Sequence, residues 1–111
     1  MDYDFEKKFE EARARKVKYG LLWTDAKAEA TRLKKYESSL VSNLILSTEG
    51  KSIAERERKA LASKEYTTHI EGLVESERKT NRLWVAVEDA QAEFEQWKSL
   101  CSQQTAMIRL H

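Results

Sequence analysis

Leu46-Ser47-Thr48-Glu49-Gly50-Lys51-Ser52-Ile53-Ala54-Glu55 decides the fold, because it sets a helix stop directly before a helix start. Gly50 predicts the left-handed conformation that commonly follows the last turn of a helix. Ser52 and Glu55 have capping-box spacing. The serine hydroxyl can accept from the Glu55 amide, and the Glu55 carboxylate can reach back to the Ser52 amide. A turn confined to residues 48–52 makes the next helix an antiparallel neighbour of the first.

On the N-terminal side of this turn the apolar pattern predicts a helix over residues 3–47. Phe5, Ala12, Tyr19, Ala26, Leu33 and Leu40 recur every seven residues. Phe9, Leu22, Trp23, Ala30, Tyr36 and Leu44 fill a second seam position, which is the alternating three- and four-residue spacing of a helix packed along its whole length. Asp2, Asp4 and Glu6 suit the positive end of the helix dipole. Gly20 interrupts this helix and points to a close approach by a neighbour or to a slight bend.

On the other side the pattern predicts a short helix over 53–62. It either continues or kinks at Ser63-Lys64-Glu65-Tyr66, a second start signal, into a helix over 64–109. The expected stripe is Tyr66, Ile70, Leu73, Glu77, Asn81, Trp84, Val87, Ala90, Phe94, Trp97, Cys101 and Ile108. With the reversal at Gly50, residues whose numbers sum to about 99 face one another. Glu77 then lies near Leu22 and Trp23, and Asn81 near Lys18 and Tyr19. They form either a buried polar pair that fixes register or a solvated stretch of the stripe. Met1 falls opposite Lys98 in this register. Leu100, Cys101, Ala106, Met107, Ile108 and Leu110 overhang, to be covered by a two-fold dimer in a four-helix arrangement or by the tail folding back.

The composition agrees with an all-α single domain over residues 1–111, a long, coiled-coil-like antiparallel helical hairpin. The chain has no proline and three glycines, and charged residues are 35% of the total, which suits helices with one buried stripe and wide solvated faces. Apolar residues at 41% and a periodic pattern argue against a disordered chain. A net charge of +1 gives no global drive towards nucleic acid or an anionic membrane. Residues 1–47 hold ten basic and eight acidic side chains and residues 83–111 two and four, so the two ends of a hairpin attract weakly. The N-terminus lacks a signal-peptide pattern and no apolar run has spanning length. A cytoplasmic protein without membrane contact is expected. Cys101, the lone cysteine, reads as a small packing residue.

Little catalytic chemistry is visible, and no enzyme, cofactor or metal is expected. His69 and His111 are far apart, and Glu65 with His69 is the one helix-face pair that could share a ligand. Arg13, Arg15, Lys16, Lys18, Arg56 and Arg58 are candidates for phosphate contacts, but acidic residues are interleaved among them as on a solvated helix face. Trp23, Tyr36, Trp84, Phe94 and Trp97 at helical spacing read as core or interface before they read as a platform for bases. Trp84, Phe94, Trp97, Leu100 and Ile108 are the candidate oligomer interface, with Trp97 its anchor.

Ser52-Ile53-Ala54-Glu55-Arg56, then Ala60, Ala62 and Ser63-Lys64-Glu65-Tyr66, and later Glu95-Gln96-Trp97-Lys98-Ser99 resemble a family of small helical accessory proteins encoded by bacteriophages and prophages. That family has a helix, a tight turn, a Ser-x-x-Glu-Arg segment and a long helix ending in a Trp-Arg-Ser-like motif. Lys98 replaces its arginine, and its arginine-rich tail is reduced to Arg109. The resemblance implies a bacterial host cytoplasm and a role beside recombination or replication functions, or in inhibiting a host nuclease or defence complex. The expectation is a non-enzymatic protein that works by protein–protein contact. The alternative is a nucleic-acid-binding accessory using its basic helix faces.

Overall fold

The computed structural model describes residues 4–110. Met1, Asp2, Tyr3 and His111, which figure in the expectations above, lie outside the described residues, as does the side chain of Leu110. The described chain is all-α: helix α1 spans Phe5–Ser47, α2 Ile53–Leu61 and α3 Lys64–Leu110. The fold is the antiparallel helical hairpin expected. It divides into two compact units, one holding the residues up to Asp25 and those from Asn81 onward, the other Ala26–Thr80. Both α1 and α3 contribute to each.

The seven-residue repeat is stricter than the sequence reading allowed. The buried and half-buried positions of α1 are Phe5, Phe9, Ala12, Lys16, Tyr19, Trp23, Ala26, Ala30, Leu33, Glu37, Leu40 and Leu44, with few others beside them. Lys16 and Glu37 thus hold seam positions, while Leu22 and Tyr36 lie on the flank and are exposed. In α3 the seam runs through Tyr66, His69, Leu73, Ser76, Thr80, Leu83, Val87, Ala90, Phe94, Trp97 and Cys101. In the middle of α3 this differs by one residue from the expected stripe. Ser76, Thr80 and Leu83 turn inwards, and Glu77, Asn81 and Trp84 are exposed. No polar side chain among the described residues is fully buried, so the register-fixing pair at Glu77 and Asn81 is not formed. A hydroxyl can occupy the seam because it satisfies itself locally: Thr80 Oγ1 donates to the Ser76 carbonyl at 2.9 Å.

Alanine dominates the core. Among the described residues the buried apolar ones are Ala12, Ala26, Ala60, Leu73 and Ala90, and three of these alanines are wholly inaccessible. Small side chains at the contact let the helix axes approach closely. The larger seam residues, Leu73 apart, are half-buried and keep some exposure to water.

The register is also displaced. Phe5 meets Trp97, Phe9 meets Phe94, Trp23 meets Trp84 and, in the other unit, Tyr36 meets His69, so facing numbers sum to between 102 and 107 instead of about 99. The cause is the connection. The chain reverses over the whole of Thr48–Ser63, including α2, and not at Gly50 alone. Gly50 is not left-handed, since no described glycine has a positive φ. Its missing side chain instead leaves room for Arg56, whose Cγ would stand 2.9 Å from an added Cβ. At the ends of this connection the Thr48 hydroxyl donates to the Leu44 carbonyl, and Ser52 Oγ caps α2 by accepting from the Glu55 amide at 3.1 Å. Glu55 reaches back to the Lys51 amide at 2.9 Å, one residue earlier than a standard capping box.

The chain breaks at Ala62 and Ser63 and does not run on straight. Ser63 joins the two helices: its hydroxyl donates to the Ala60 carbonyl at 2.7 Å and accepts from the Tyr66 amide at 3.2 Å. Gly20 and Gly72 have open space where a Cβ would be, so Gly20 marks no close approach within the chain.

Candidate interaction surface

The unit that carries the chain ends is an aromatic ladder. Phe5 and Trp97 lie 5.9 Å apart between ring centroids, Phe9 and Phe94 5.2 Å, and Trp23 and Trp84 4.9 Å, all tilted. Such pairs add stabilisation beyond the area they bury. Lys16 reaches over the Phe94 ring at 4.4 Å, which explains a lysine in the seam: its stem packs while its ammonium meets the ring face. Cys101 is free, and its thiol donates to the Phe5 carbonyl at 3.5 Å. Leu100 and Cys101 are therefore half-buried and not overhanging, whereas Ser102–Arg109 are exposed, Ile108 among them. Beside the first rung is a shallow cleft of about 310 Å³ lined by Asp4, Phe5, Lys8 and Trp97.

One flank of the ladder is ionic. Arg15 forks across to Asp89 at 2.6 Å and Glu93 at 3.0 Å. The hydrogen bond to Asp89 holds the guanidinium's pKa above its ordinary value. This is the cross-helix attraction that the charge distribution implied. The opposite flank is open and mixes polar side chains with a little apolar surface. Here Trp84 stays 43% exposed despite its stacking on Trp23, and Gly20 leaves a notch. Val17 and Leu21, on the face of α1 turned away from its seam, are 55% and 63% exposed. Sequence reading missed Val17 and Leu21. The signal was a second three–four series, Ala14, Val17, Leu21, Thr24 and Ala28, masked by the lysines and arginines between its members.

In the other unit, His69 shares a 2.9 Å hydrogen bond with the Leu33 carbonyl and lies against Tyr36 at 5.5 Å. It packs into the hairpin there, while Glu65 is exposed. Glu29 binds Arg32, which lowers its pKa, with a smaller contribution from Lys79 across the hairpin. At the connection Leu46 and Ile53 are 82% and 73% exposed. Arg56 donates to the Gly50 carbonyl and Lys59 to that of Glu49, both at 3.1 Å.

The candidate phosphate ligands do not converge. Arg13, Arg15, Lys16 and Lys18 belong to the aromatic unit and Arg56 and Arg58 to the other. Arg15, Lys16 and Arg56 spend their donors or charge on Asp89 and Glu93, on Phe94 and on Gly50. Arg13 lies 4.0 Å from Glu10, and Lys18 and Arg58 are exposed. Of the candidate interface residues, Phe94 and Trp97 are engaged within the chain, Leu100 is half-buried, and Trp84 and Ile108 present apolar surface. Among the described residues no three metal-binding side chains converge, and no helix is long and apolar enough to cross a membrane. In comparisons with known proteins, no family model, no curated protein and no solved structure matches the chain.

Proposed function

We propose that this chain is a non-enzymatic accessory protein of the phage type. It acts by protein–protein contact beside a recombination or replication function, or by blocking a host nuclease or defence complex in a bacterial cytoplasm. One observation carries the interaction reading. Among the described residues no large side chain is fully buried, and four of the five buried apolar residues are alanines. A helical hairpin that leaves Trp84, Val17 and Leu21 in water has apolar surface suited to a partner. The phage context rests on the Ser52–Arg56 and Trp97–Ser99 motifs alone.

The test is affinity capture from a bacterial lysate with the wild-type chain and with Leu21→Asp as baits. The reading expects a protein retained by the first and lost by the second. Identical captures would refute it. Binding of nucleic acid is the weaker reading, because Arg15, Lys16 and Arg56 already have partners. A mobility shift at low salt that fades as salt rises would reinstate it.

A further inference from the structure

Little interrupts the helix at the joint between α2 and α3. No glycine or proline lies between Ser52 and Glu71, so the sequence there has no helix breaker. Ala62 has φ −91° and ψ 0°, at the edge of the helical region, and its amide still reaches the Arg58 carbonyl at 3.1 Å, the four-residue bond of a continuing α-helix. The interruption falls one residue later. The Ser63 amide takes the Ala60 carbonyl at 3.1 Å, a three-residue bond, while its hydroxyl donates to the same carbonyl and accepts from the Tyr66 amide. The Ser63 carbonyl already accepts from the Thr67 amide at 3.1 Å, as in a regular helix. One serine hydroxyl thus stands in for the backbone bonds that a continuous helix would draw from Lys64, Glu65 and Tyr66 to Ala60, Leu61 and Ala62.

The seam crosses this joint in phase. Carried back from Tyr66 at the same three- and four-residue spacing, it passes through Ala62 and Lys59. In the bent form Ala62 is exposed and Ala60 is the buried residue of α2. Straightening exchanges one alanine for the other and gives Lys59 a seam position like that of Lys16 in α1. What the straight form gives up is exposed and polar: the donations of Arg56 and Lys59 to the Gly50 and Glu49 carbonyls. The connection is long enough for both forms. Tyr36 against His69 places Ser47 level with Arg58. A straight helix beginning at Ile53 starts about 8 Å further along and about 9 Å to the side, roughly 12 Å away. Residues 48–52 reach about 17 Å when extended.

We infer that Ala62-Ser63 is a two-position hinge. Capped by the Ser63 hydroxyl it holds α2 bent, and uncapped it lets α2 and α3 run together as one helix from Ile53. The inference goes beyond the interaction reading and does not rest on it. The experiment is a pulsed electron-spin distance measurement on the full chain, with labels at Ala54→Cys and Glu71→Cys, both exposed, in a Cys101→Ser background. In one straight helix these positions lie about 25 Å apart, and in the bent form they are closer. Most wild-type chains give the shorter distance. Ser63→Ala raises the ratio of the long distance to the short one roughly fivefold. Ser63→Asp, which also caps, keeps the wild-type distribution. Lys64→Pro gives the short distance alone, because proline suits the first position of α3 but not the interior of a continuous helix. Circular dichroism checks that each variant stays helical. A Ser63→Ala distribution identical to the wild type overturns the inference, as does a long distance that persists in Lys64→Pro.

Discussion

The two units are built from the same pair of helices by different chemistry. All three tryptophans and all three phenylalanines lie in the unit formed by residues up to Asp25 and from Asn81 onward. The unit Ala26–Thr80 has two tyrosines as its only aromatic residues, and its seam holds Leu33, Leu40, Leu44 and Leu73 beside Ser76 and Thr80. It draws on directed polar contacts instead: the Ser52 and Ser63 caps, the Arg56 and Lys59 donations to backbone carbonyls, and the His69 bond to Leu33. A heptad repeat therefore specifies where the helices touch but not what holds them. Exposed apolar side chains occur in both units, Leu46 and Ile53 at the connection as well as Val17, Leu21 and Trp84 in the aromatic unit.

Substitutions in matching roles test this contrast. The largest losses should come from Phe94→Ala and Leu73→Ala, one in each unit, at about 2–4 kcal/mol apiece. Urea unfolding monitored by tryptophan fluorescence and by helical dichroism would sharpen the comparison. Coincident curves for Leu73→Ala mean that the units unfold together. A dichroism change that precedes the fluorescence change means that the tryptophan-free unit melts first. Ala90→Leu should cost about 1–3 kcal/mol, because the seam at a wholly buried alanine has no space for an isobutyl group. A neutral result would show the helices to be further apart than described.

Smaller effects probe the capped connection. Ser52→Ala should cost about 1 kcal/mol, read as a lowered urea midpoint. Glu55 is held below its ordinary carboxylate value by the Lys51 amide first and then by Lys59. A lowered pKa means stabilisation that is complete above the ordinary 4.5 and disappears as pH falls through the folded value. The melting temperature of the wild type should thus exceed that of Glu55→Gln at pH 7 and converge with it under acid. The smallest change is a gain: Gly72→Ala, on an exposed helical face with room for the methyl, should stabilise by up to about 1 kcal/mol.

The helices and their ends were legible in the sequence because periodicity, the Ser52 cap and the Ser63 start signal are local. The seam of α3 was misread where it matters for function. Bulk drew the eye to Trp84, whereas the strict repeat passes through Ser76, Thr80 and Leu83, whose small or self-satisfied side chains give little hydropathy signal. The register was misplaced for a related reason. Gly50 resembles a pivot, but its value is the space it leaves for Arg56, and the reversal depends on the length of α2 and the break at Ser63. No local motif encodes that. The exposed Val17 and Leu21 were legible only as a second repeat hidden under charge.

Register is what the account depends on, since it sets Trp23 against Trp84 and alanine against alanine. It is most directly tested by cysteine cross-linking in a Cys101→Ser background. Ala12→Cys combined with Ala90→Cys should oxidise rapidly to an intramolecular disulfide, and Ala12→Cys combined with Val87→Cys, the pairing that a pivot at Gly50 requires, should not. Preferential bonding of the second pair would contradict the register.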